Sequence, residues 1–150
     1  MDGELIHASA VAIEDRVALI RGPSGSGKSD LALRCLGLAT SPLVPAPFRL
    51  VADDCVLLAR EGDALIARPA PTIAGRLEVR GVGIVAVPHL AEGRVRLVVD
   101  LCRASDIDRL PDPAPLATLA GIDLALVRLA PFEASAPLKL ALALTRLGGA

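Results

Sequence analysis

The chain has 150 residues and a formal net charge of −1, with 16 Lys and Arg against 17 Asp and Glu, a balance that gives no global attraction for nucleic acid or an anionic membrane surface. It has no Trp and no Tyr, and only Phe48 and Phe132, which removes the stacking platforms that single-stranded nucleic acid uses. Although 53% of the residues are hydrophobic, the longest stretch without Asp, Glu, Lys or Arg runs from Cys35 to Phe48 and is interrupted by Pro42, Pro45 and Pro47, too short for a membrane span.

The size predicts one domain over residues 1–150, large enough to bury a core without disulfides. Asp2 and Glu4 stand where a signal peptide would carry basic residues, so no export signal is visible. Leu5 to Ile13 predicts a strand and Arg16 to Ile20 its partner, with Glu14-Asp15 as the turn. Val17-Ala18-Leu19-Ile20 then leads into a glycine-rich loop, and a helix is predicted from Lys28 to Leu38. Thr40 to Pro47 reads as a Pro-rich surface loop. Arg49 to Ala52 reads as a short strand ending in Asp53-Asp54. Cys55 to Ala59 and Ala64 to Arg68 read as a hairpin around Glu61-Gly62-Asp63. Leu77 to Arg80 leads into a strand-like run over Gly81 to Val87, where Gly81 and Gly83 are expected to allow close backbone approach.

Arg94 to Leu101 becomes a buried strand, Asp112 to Pro115 marks a turn, and Ile122 to Leu129 is a late strand. Pro137 to Leu147 alternates Leu with Ala and predicts a helix, with Ser135 as cap and Pro137 in the first turn. Many short strands with two helices predict an α/β mixed sheet carrying a phosphate loop, not a doubly wound array. Cys35, Cys55 and Cys102 contain no C-x-x-C pair and read as small buried residues. The apolar excess is read mainly as an Ala- and Val-rich bias, and secondly as a surface for an oligomer.

The chemistry starts at Gly22-Pro23-Ser24-Gly25-Ser26-Gly27-Lys28-Ser29. This fits G-x-x-x-x-G-K-[ST], the phosphate-cradling loop of nucleoside triphosphate enzymes, and it lies between a strand and a helix as that loop requires. The glycines let the backbone turn its N–H groups inward, and the helix adds its positive end. Lys28 is one of only two lysines beside fourteen arginines, kept where a flexible point charge must reach the β- and γ-phosphates. Ser29 supplies a hydroxyl for Mg²⁺. ATP and Mg²⁺ are therefore the expected cofactors. With so few aromatic residues, an adenine is expected to rest on aliphatic side chains or backbone. An ATP-type loop without an export signal points to the cytoplasm.

A phosphate loop says nucleotide but not reaction. Asp53-Asp54 at a strand end can hold Mg²⁺ and accept a proton from an attacking hydroxyl, and two such acids in one phosphate site should repel. Read without the loop, the pair is better taken as a solvated turn after the strand.

With the loop, Val51-Ala52-Asp53-Asp54 and Leu77-Glu78-Val79-Arg80-Gly81-Val82-Gly83-Ile84-Val85 resemble the catalytic domain of HPr kinase/phosphorylase. That family shows a VADD run after its phosphate loop and later an L-E-I-R-G-L-G-I-I signature. It places a His twenty-one residues before the loop Lys, as His7 stands before Lys28, and Ile107-Asp108-Arg109-Leu110 is similar to its D-R-L segment. The resemblance runs from about His7 to Arg109. It implies that Lys28 neutralises the transferring phosphate, that Ser29 and Glu78 ligate Mg²⁺, and that Asp54 is the base toward a substrate serine, supported by Asp53. It places His7 and Arg109 at the phosphate site. Arg80 is read either as a phosphate contact or as an ion-pair partner of Glu78, and His89 as structural.

The resemblance further implies a fold like the phosphoenolpyruvate carboxykinase-type phosphate-loop kinases. The substrate would be the phosphocarrier protein HPr or a nitrogen-branch relative, and the assembly a homo-oligomer, a hexamer in the family. Members often carry an N-terminal domain before this one. Their late P-G-R-N loop, tied to the reverse dephosphorylation, has no counterpart in Pro131-Phe132-Glu133-Ala134-Ser135-Ala136-Pro137, so weak or absent phosphorylase activity is expected. The alternatives are a small-molecule kinase, which usually wants an Arg-rich lid, and a nucleotide-binding regulatory module, which needs no base.

Overall fold

A computed structural model describes residues 3–149. Eleven strands and two α-helices follow in chain order: β1 (Glu4–Ile6), β2 (Ser9–Ile13), β3 (Arg16–Arg21), α1 (Lys28–Leu36), β4 (Phe48–Ala52), β5 (Val56–Glu61), β6 (Ala64–Pro69), β7 (Arg76–Val79), β8 (Gly83–Ala86), β9 (Gly93–Leu101), β10 (Leu116–Leu119), β11 (Ile122–Leu129) and α2 (Ala136–Arg146). Nine strands form one sheet in the order β1-β5-β6-β9-β3-β2-β4, with β11 joined to β9 and β10 to β11. The pairs β3–β9 and β9–β11 are parallel and the rest antiparallel. The fold is therefore mixed α/β with a large, mostly antiparallel sheet, as expected.

The pleat divides the core between two faces. Val11, Ile13, Ala18 and Ile20 point to the face covered by the helices, where they meet Leu31, Ala32 and Cys35 of α1 and Leu140, Ala141 and Leu144 of α2. Ala10, Ala12, Val17 and Leu19 point the other way, into a second core that they share with Val51, Val56, Leu65, Val95 and Val98 of other strands. The alternation along β9 is interrupted once: its partners on β3 skip from Val95 to Leu97. This bulge at Arg96 lets residues on either side of it keep to their faces.

Several elements differ from expectation for reasons of tertiary pairing. The strand predicted from Leu5 to Ile13 is broken at His7-Ala8. Its first part pairs with β5 and its second with β3 and β4. The run after Leu77 is a separate hairpin, in which β7 pairs only with β8. Gly81 and Gly83 have φ of 84° and 124° and open space where a Cβ would stand, so they serve the turn and not a close approach. Helix α1 stops at Leu36, with Gly37 donating to the Leu33 carbonyl at 3.1 Å. Pro137 does sit in the first turn of α2, but the Ser135 side chain makes no cap bond. The backbone carbonyl of Ser135 accepts from Lys139 N–H at 2.8 Å. Strand β10 was not expected. Of the cysteines only Cys35 is buried, and burial pushes its thiol up to about 12. Cys55 and Cys102 are half-exposed.

The β10–β11 turn carries a testable local strain. Ala120 and Gly121 link Leu119 to Ile122 with φ of 51° and 78°, the left-handed pair of a type I′ hairpin. Glycine accepts this region freely, whereas an alanine there costs about 1–2 kcal/mol. Ala120→Asn, which installs the favoured Asn-Gly pair, is expected to recover part of that cost and raise the melting temperature by about 2–4 °C per kcal/mol. A melting temperature at or below the wild-type value would count against the strain.

Candidate functional site

The three parallel strands β3, β9 and β11 bring their C-terminal ends to one edge of the sheet, and the phosphate loop follows β3 there. Open sheets bind ligands outside such carboxyl ends. Inside the loop, Ser26 N–H donates to the Pro23 carbonyl at 3.0 Å. A Cβ on Gly22 would stand 2.5 Å from Ser26 Oγ and would push that side chain aside. Gly27 precedes α1 with φ 103°, a region open to glycine. Ser26 Oγ is buried and has no hydrogen-bond partner among the described residues. Such an orphaned donor fits an acceptor supplied from outside the chain, as a phosphate oxygen would be. Lys28 is only 5% exposed, and its Nζ donates to the carbonyls of Gly22 at 2.7 Å and Pro23 at 3.0 Å. The ammonium is thus held at the mouth of the loop by two acceptors that a phosphate can replace.

Asp53 closes the site from the end of β4. It is 7% exposed and its carboxylate has three donors. Ser29 Oγ donates to Oδ1 at 2.6 Å, Ser9 Oγ donates to Oδ1 at 3.1 Å, and Glu78 N–H donates to Oδ2 at 3.3 Å. Ser9 Oγ in turn accepts from Asp54 N–H at 3.1 Å. This one carboxylate therefore ties the first turn of α1, the start of β2 and the β7–β8 hairpin together. The Ser29 hydroxyl beside an Asp53 oxygen is a pair of hard oxygen donors next to the loop, the set that Mg²⁺ uses with phosphates and waters. No group of three or more His, Cys, Asp and Glu that could hold a metal occurs among the described residues.

Asp54 is differently placed. Its side chain is 64% exposed, and Oδ1 lies 3.3 Å from Nε2 of His7, itself 51% exposed. Its φ is 65°, so the backbone turns sharply between the two acids. They do not share one environment: Asp53 faces inward among donors and Asp54 outward beside an imidazole. His7 reaches Asp54 because the chain breaks between β1 and β2 at that point.

Of the other expected site residues, Glu78 approaches through its backbone, and its exposed side chain makes no hydrogen bond or ion pair among the described residues. It is not paired with Arg80. Arg109 lies in the exposed segment after β9, and among the described residues it makes no hydrogen bond or ion pair to the group. Two contributors were not anticipated. Ser9 is the lone hydroxyl in the apolar run Ala8 to Ile13, two residues after His7, and that position was its only signal. Arg21, the residue before the loop, makes a two-pronged ion pair with Asp100 at 2.8 and 3.0 Å and so clamps the ends of β3 and β9 beneath the loop. His89 stays structural, its Nδ1 3.0 Å from the Val87 carbonyl.

The structure of the HPr(Ser) kinase/phosphatase from Coxiella burnetii superposes with a TM-score of 0.73 at 24% identity, covering 95% of this chain and 88% of that one, which establishes a shared fold. The HPr kinase/phosphorylase of Prosthecochloris aestuarii is 33% identical over 134 residues, 82% of this chain and 37% of its own length. That of Bacillus subtilis is 42% identical over 93 residues, 61% of this chain and 27% of its own length. The chain thus spans about a third of the length of the curated relatives it matches. The family described as the HPr Serine kinase C-terminal domain matches residues 2–135, and the chain belongs to that family.

Proposed function

We propose that this chain is an ATP- and Mg²⁺-dependent protein serine kinase acting on HPr or a nitrogen-branch relative of it. The observation that carries the reading is the division of labour between adjacent acids. Asp53 is buried on the hydroxyl of Ser29 at the phosphate loop, while Asp54 stands open beside His7. A phosphate-binding module without turnover has no use for the second arrangement.

Gly22 to Ser29 wrap the donor's phosphates with backbone N–H groups, and Ser26 Oγ gains an acceptor. Lys28 exchanges the two loop carbonyls for phosphate oxygens. Ser29 and Asp53 hold Mg²⁺, with Glu78 as the further acid at the hairpin. A cation bound there would supply the positive charge that offsets the phosphates. Asp54 accepts the proton of the substrate serine as its oxygen attacks the γ-phosphorus and the bond to the bridging oxygen breaks. His7 orients Asp54, and Arg109 from the segment after β9 is the added positive charge for the phosphate. Positioning and charge stabilisation supply most of the rate.

Pro131 to Pro137 lack the Gly-Arg pair associated with the reverse reaction, so dephosphorylation is weak or absent. The chain acts in the cytoplasm as a homo-oligomer, by analogy with the family.

The test is transfer from γ-labelled ATP to purified HPr-type carriers, with Mg²⁺ and with chelator, for wild type and Lys28→Ala. Seryl-phosphorylated carrier is expected only from wild type with Mg²⁺. ATP bound with no transfer to any carrier would move the chain to a regulatory module or to a kinase of another substrate.

A further inference from the structure

The segment after β11 stands on the same sheet edge as the phosphate loop and is fastened to it. Arg34 of α1 donates from Nη2 to the Pro131 carbonyl and from Nη1 to the Glu133 carbonyl at 3.2 Å. Its Nε is held by Asp30 at 2.9 Å. The carbonyls of the two residues on either side of Phe132 are therefore anchored to the helix that begins at Lys28. Further along, Glu133 receives Lys139 Nζ at 3.1 Å and its carbonyl accepts from Ala136 N–H at 3.0 Å. Phe132 projects from this fixed segment. The edge of its ring packs on the loop: Cζ and Cε1 stand 2.9 and 3.2 Å from where a Cβ on Gly27 would be. The rest of the ring is open, and the residue is 71% exposed.

That exposure needs a reason. The chain has two aromatic residues, and the other, Phe48, is buried in the core. A rigidly held phenyl ring left in water forgoes burial that a core position would supply. It touches the loop one residue before Lys28, at the end of the sheet where a phosphate-bound ligand must extend. An open π-face in that place has a natural occupant, the heterocycle attached to the phosphates.

We propose that Phe132 is a stacking platform for the nucleobase of the phosphoryl donor, so that the donor is recognised at its base as well as at its phosphates. The inference rests on the kinase reading and deepens it, because it separates a nucleoside triphosphate from a bare polyphosphate as the preferred donor. It also replaces the aliphatic seat that composition suggests for the base with an aromatic one.

The experiment is equilibrium binding of ATP and of inorganic tripolyphosphate, both with Mg²⁺, to wild type, Phe132→Ala and Phe132→Trp, with thermal melts as the folding control. Wild type should bind ATP more tightly than tripolyphosphate. Phe132→Ala should weaken ATP by about 5- to 150-fold, the range of one base–aromatic stack, and leave tripolyphosphate unchanged. Phe132→Trp should keep the ATP margin. Unchanged ATP affinity in Phe132→Ala overturns the proposal, and so does an equal loss for both ligands, which would make Phe132 a support for the loop. If wild type binds neither ligand, the kinase reading fails first and the platform falls with it.

Discussion

Asp54→Asn is expected to lower phosphoryl transfer by about 10²- to 10⁴-fold, the range for removing a general base, with nucleotide binding and stability preserved. The position suits a clean substitution. Asp54 is 64% exposed, so no packing is lost, and exposed substitutions usually stay within about 0.5 kcal/mol. Its φ of 65° lies in the left-handed region that Asn tolerates better than most residues. Its backbone N–H, which donates to Ser9 Oγ at 3.1 Å, is untouched. Asn keeps the shape and loses the negative charge, and with it the ability to take a proton. Alanine would be the poorer probe, because the backbone strain would then mix with the chemistry. The measurement is the transfer rate at saturating ATP beside the ATP dissociation constant and the melting temperature. A rate within about threefold of wild type would remove Asp54 from the role of base.

The parts of this site that were legible in the sequence are those whose geometry is local. The phosphate loop closes over seven residues, from Gly22 to Lys28, and its turns are set by glycines that can be read directly. The strand before it and the helix after it follow from apolar runs of the right length. A side chain whose role depends on a distant partner carries no such local mark. Ser9 looks like a tolerated small residue in a strand until Asp53, 44 positions away, is laid against it. The break at His7-Ala8 cannot be read from periodicity, because both halves are strand. It exists because β1 pairs with β5 while β2 pairs with β3. The β7–β8 hairpin was hidden for a similar reason: an alternating half, Arg76 to Arg80, runs straight into an apolar half, and the turn between them is marked by Gly81 and Gly83. Four-residue β10 has no independent signal and is a strand because β11 is beside it. Asp53-Asp54 was visible as a pair, but its division into an inward and an outward acid is set by the sharp turn at Asp54.

That division gives Asp53→Asn a different expected phenotype. Asp53 is the acceptor for two hydroxyls and one peptide N–H. The hydroxyls of Ser9 and Ser29 can rotate and accept, whereas Glu78 N–H can only donate. An Asn at this position is therefore expected to turn its oxygen to Glu78 and its NH₂ to the two serines, keeping the fold at a cost of about 1–3 kcal/mol. What it cannot keep is the negative charge beside Ser29 Oγ. A Mg²⁺ held by Ser29 and Asp53 would lose its only buried anionic protein donor. The Mg²⁺ concentration for half-maximal transfer should then rise by about 10- to 100-fold, a range typical of disturbed metal-site partners, and the rate at ordinary Mg²⁺ should fall at least as far. Asp54→Asn should leave that midpoint in place. The two adjacent acids are thus separable by one titration: Asp53 moves the metal dependence and Asp54 moves the maximal rate. If Asp53→Asn lowers the melting temperature but leaves the Mg²⁺ midpoint where it was, the buried carboxylate is a structural tie between three elements, and the metal must be held by other groups.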